Sequence, residues 1–72
     1  MTDPQTLPRS DPRRHTIKTR TRLTELAEHL RSDVTKVDDP RAKALFETAA
    51  EVLLGLERAF ADFEAGTEAA WR

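Results

Sequence analysis

From Ala42 to Phe63 the apolar residues recur at helical spacing: Ala42, Leu45, Phe46, Ala49, Val52, Leu53, Leu56, Ala59, Phe60 and Phe63. They occupy positions a, d and e of a seven-residue repeat, one broad stripe on a helix surface. Lys43, Glu47, Thr48, Glu51, Glu57, Arg58 and Asp62 lie between them and are polar. The pattern predicts a helix from residue 40 to 66 or beyond. A narrower stripe of Leu23, Leu26, Ala27, Leu30, Val34 and Val37 predicts an earlier helix over residues 12–37, with Asp33 as its polar interruption. Ahead of Leu23 the pattern fails. Thr16, Thr19 and Arg20 take seam positions, Ile17 lies off the seam, and threonines are mediocre helix formers, so the first two turns are expected to fray.

The triplet Asp-Pro-Arg occurs at 11–13 and again at 39–41. In both places Asp can cap free backbone N–H groups and Pro fits the first helical position, where its missing donor is not needed. The residues after the two triplets differ, so this reads as one punctuation used twice and not as internal duplication. Residues 1–11, with Pro4 and Pro8, lack an apolar period and read as an irregular arm anchored by Leu7. Residues 12–72 form the hairpin, linked at 38–39. So short a link leaves the helices as antiparallel neighbours. Gly55, beside the stripe, is expected to permit close helix approach, and Leu54, the one large apolar residue opposite the stripe, is either an ordinary exposed leucine or the edge of a second contact surface.

A single neighbouring helix covers one contact line, and the a, d and e arc of the second helix is wider than that. The expected fold is therefore all-α: an antiparallel two-helix hairpin that dimerises, stripe to stripe, into a four-helix bundle of twofold symmetry. Its seam is Leu23, Leu26, Leu30, Val34, Leu45, Phe46, Val52, Leu53, Leu56, Phe60 and Phe63.

Composition narrows the function without naming it. The chain has 72 residues, no Cys and a formal net charge of −1, so neither a disulfide nor a thiolate zinc site can staple it. It has no apolar run long enough to span a bilayer and no signal-peptide start, which makes a cytoplasmic protein without membrane contact the expectation.

Charge is uneven along the chain. Up to Arg22 the bases Arg9, Arg13, Arg14, Lys18, Arg20 and Arg22 face only Asp3 and Asp11, and acids dominate afterwards. Arg13, Arg14, Lys18, Arg20 and Arg22 could contact an anion or nucleic acid. Alternatively, the basic front pairs with the acidic end of the second helix. In a hairpin turning at Asp38-Asp39, residues whose numbers sum to about 77 come level. That sets Arg20 near Glu57, His15 near Asp62 and Arg13 near Glu64, and this intra-hairpin reading is preferred.

Glu25, Glu28, His29, Glu47 and Glu51 resemble a metal cluster in composition, but their repeat positions point away from the stripe and the inward Glu-x-x-His motif is absent. Asp33, the only seam carboxylate, is expected near Lys43 or its symmetry mate. His15, Arg22, His29 and Lys36 form a basic column along the stripe's rim. Trp71 is a candidate partner anchor. Without Cys, a Gly-rich phosphate loop or a Ser–His–acid set, no enzyme and no cofactor are implied. The reading is a small self-associating protein acting in protein–protein interaction or regulation. The alternatives are a nucleic-acid accessory protein and, third, a metal-binding bundle.

Overall fold

A computed structural model describes residues 6–70, with side chains described to residue 66. Two helices, α1 (Pro12–Val34) and α2 (Pro40–Ala70), pack against each other as a hairpin about 50 Å long and 20 by 18 Å across.

Both helices open on the repeated triplet. The Asp11 carboxylate accepts from the Arg13 backbone N–H at 2.9 Å, and that of Asp39 accepts from the Arg41 N–H at 2.8 Å. Each cap satisfies a donor that the first helical turn leaves without an internal partner. At Asp11 the Arg13 guanidinium also folds back, its Nη2 2.8 Å from Oδ2, and these hydrogen bonds hold the Asp11 carboxyl below the usual carboxylate range. The start of α1 is helical from Pro12 onward, although its threonines had pointed to fraying. Their hydroxyls stay local: Thr19, Thr21 and Thr24 donate to the carbonyls of His15, Ile17 and Arg20, one turn earlier.

α1 ends at Val34, three residues before the expected stop. The Thr35 backbone N–H and hydroxyl both turn back to the Ser32 carbonyl, at 3.2 and 2.8 Å, while the Lys36 N–H takes the Asp33 carbonyl. These i to i−3 bonds close the last turn. The connection is therefore residues 35–39 and not 38–39 alone. Packed helix axes lie about 8–10 Å apart, and the longer link crosses that gap while Pro40 starts the next helix.

The buried apolar residues among those described are Ala27 and Ala50, at 1% and 0% exposure. They are the pair that the hairpin's turn brings level, and two methyl-sized side chains let the helices approach closely. On α2 the covered or half-covered face runs through Phe46, Ala50, Leu53, Leu54, Glu57 and Glu64. Leu54 is thus part of the hairpin contact and not an isolated residue behind the stripe, because α1 packs to one side of the apolar arc instead of along its middle. Gly55 falls outside that contact. A Cβ built there meets nothing within 4 Å, so the hairpin itself makes no use of the missing side chain. α2 continues through Gly66, which takes no positive φ.

Candidate interaction face

Because α1 covers only one side of the arc on α2, the other side is left open. Leu45, Val52, Leu56 and Phe63 are 63%, 57%, 46% and 48% exposed. Each lies about 120–160° around the helix from Ala50, at 100° per residue. Leu26 of α1 is 48% exposed. Leu26 precedes Ala27 and Ala49 precedes Ala50, and in antiparallel helices a one-residue step back rotates both side chains toward the same side of the pair. Leu26 and the α2 stripe therefore share one flat face of the hairpin, edged by half-buried Leu23, Leu30, Phe46, Leu53 and Phe60. Val34 lies closer to the contact between the helices and is also half-buried.

The opposite face is polar. Arg31 and Glu51 pair across it at 2.9 Å. A solvent-open depression there is lined by Arg31, Val34, Glu47, Thr48 and Glu51. It brings together the Arg31–Glu51 ion pair, the Glu47 carboxylate and the Thr48 hydroxyl.

The basic front is largely taken up inside the chain. Arg20 lies between Glu57 and Glu64, with Nη1 3.8 Å from Glu57 Oε2 and Nη2 3.1 Å from Glu64 Oε1, and its Nε also donates to Glu64. The expected Arg20–Glu57 proximity is present. The other two expected pairs are not: Glu64 takes Arg20, Arg13 closes onto Asp11, and His15 has Nε2 3.1 Å from the Arg9 carbonyl. Helical side chains lean toward their own N-terminus. In an antiparallel hairpin an α1 head therefore leans away from the loop and an α2 head toward it, so an α1 residue meets an α2 residue further from the loop than the one level with it. Arg31 with Glu51 follows the same offset. Arg14 donates from Nη1 to the Leu7 carbonyl at 3.1 Å, which ties the arm to α1 through backbone where the sequence suggested the Leu7 side chain. Lys18 and Arg22 are exposed.

Asp33 pairs within its own helix end, with His29 Nε2 at 3.0 Å and Lys36 Nζ at 3.6 Å, and not with Lys43. The i, i+4 spacing to His29 and the i+3 spacing to Lys36 make those partners nearer than any on α2. Glu25, Glu28, Glu47 and Glu51 are exposed and spread over both helices, and no group of three metal-ligating side chains forms among the described residues. Trp71 lies outside the described residues. No described helix is long and apolar enough to cross a membrane.

No protein-family model, curated protein or solved structure matches this chain.

The sequence had shown the open stripe but not which half of it would stay open. The signal available was Ala50. Alanine at the level of Ala27 marks the closest approach of the two helices, and so fixes how α2 is rotated.

Proposed function

We propose that this chain is a self-associating helical hairpin. Two copies close their apolar faces into a four-helix bundle, which works by binding another protein and not by catalysis. One observation carries the reading: no large side chain among the described residues is fully buried, while five large apolar ones are about half exposed on one face. Full burial of such a side chain is worth about 1.5–3 kcal/mol, so the exposed halves withhold roughly 4–7 kcal/mol per hairpin. That is comparable to the whole stability of an ordinary domain, about 5–15 kcal/mol.

Surface area supports the same reading. A compact protein of 8.2 kDa exposes about 4,500 Å². This hairpin exposes 5517 Å². The excess, roughly 1,000 Å², matches what one partner contributes to an interface of ordinary size, about 800 Å².

The runner-up, nucleic-acid binding through the basic front, draws on Lys18 and Arg22 but not on Arg13, Arg14 or Arg20, whose guanidinium groups are engaged within the chain. Light scattering at micromolar concentration tests the main proposal. A mass of twice 8.2 kDa is expected. A Leu56→Asp chain should run at the single mass, because the dimer would bury an unpaired charge.

A further inference from the structure

We infer that the second copy lies with its α2 antiparallel to the first α2, about a twofold axis level with residue 54. This rests on the self-association proposed above and gives it a geometry. The open stripe of α2 reads Leu45, Ala49, Val52, Leu56, Ala59, Phe63. Its steps are four, three, four, three and four residues, and its sizes run large, small, large, large, small, large. Both orders are the same read from either end, so the stripe is complementary to its own reverse.

In an isologous interface, if residue i meets j then j meets i. Here Leu45 comes level with Phe63 of the partner subunit, Ala49 with Ala59 of the partner subunit, and Val52 with Leu56 of the partner subunit. All three layers share one centre, so a single axis serves them all, and the alanine layers let the helices settle against the bulkier ones. The stripe spans about 27 Å at 1.5 Å per residue.

A parallel pairing would also match sizes, but the helix dipoles disfavour it. It would align the two helix dipoles, which the antiparallel arrangement opposes.

Distances between spin labels in the dimer test this arrangement. The chain lacks cysteine, so Arg41→Cys and Arg58→Cys each give a single labelling site. Both positions are exposed; Arg41 lies one turn before the stripe begins and Arg58 lies to its side. Antiparallel pairing about residue 54 requires axial separations of about 39 Å between the two labels at position 41 and about 12 Å at position 58. Short separations at both sites, or a longer one at 58 than at 41, overturn the arrangement. Light scattering on the same samples keeps the two claims apart. A dimer with the wrong distances removes only the antiparallel geometry, whereas a helical monomer removes the self-association as well.

Discussion

Arg20 and Glu64, forty-four residues apart in the chain, meet across the open end of the hairpin at 3.1 Å. The Glu64 side chain is 12% exposed, and Glu57 stands 3.8 Å from the same guanidinium. Midway along the hairpin the helices touch through Ala27 and Ala50, and further from the loop through this charged trio. The Thr16 hydroxyl is also buried in α1, with no hydrogen-bond partner among the described residues. Arg20 thus adds a charged contact between the helices beyond the alanine pair.

Arg20→Ala should therefore destabilise the fold by about 1–3 kcal/mol, since it leaves a nearly buried carboxylate without its donor. Replacing both Arg20 and Glu64 with Leu should recover most of that loss. Glu57→Gln, at the longer distance, should cost less than Arg20→Ala. Urea denaturation of the variants followed by circular dichroism gives the comparison.

The two Asp-Pro-Arg caps invite a pH experiment. Arg13 lowers the Asp11 pKa in the folded chain, so this cap's contribution is complete above the unfolded value of 3.8 and fades as pH falls through the lower folded value. Protection of the Arg13 amide from hydrogen exchange, relative to an unstructured amide at the same pH, should hold at pH 5 and fall in stronger acid. An Asp11→Asn chain should lack that acid step. Asp39→Ala should cost about 1 kcal/mol through loss of the α2 cap.

Gly55 gives a test with the opposite sign. Nothing lies within 4 Å of a Cβ at this helix-interior position. Gly55→Ala should stabilise the chain by about 0.5–1 kcal/mol, which a thermal melt would show as a higher midpoint.

The basic front can be assayed directly. With three of its arginines engaged in the chain, duplex and single-stranded DNA should bind weakly, and Arg20→Ala should lower stability more than it changes binding. Affinity that falls steeply with salt and disappears on neutralising Lys18 and Arg22 would favour the nucleic-acid reading instead.

How far the sequence could be read depended on the kind of signal. The helix starts were legible because Asp and Pro act on their own first turn, and that chemistry needs nothing from the rest of the fold. The hairpin was legible because the link is short. The rotation of α2 was not, since the a, d and e stripe is equally apolar across its width and does not say which flank α1 will take. For that reason the choice between the two readings of Leu54, and the open space beside Gly55, could not be read off. Among the ion pairs, Arg20–Glu57 was visible from levelling the chain. Arg20–Glu64 required the lean of helical side chains, and Arg13 was drawn to a carboxylate two residues away before any across the hairpin. Asp33 likewise found His29 and Lys36 on its own side of the loop.

All of this turns on whether one hairpin is complete without a second. Sedimentation equilibrium combined with circular dichroism over a dilution series from micromolar to nanomolar chain measures mass and helix content together. Mass should fall from twice 8.2 kDa to the single value, with helix content dropping over the same range. Undiminished helix at the single mass throughout would show that the exposed leucines and phenylalanine need no partner, contradicting the proposal.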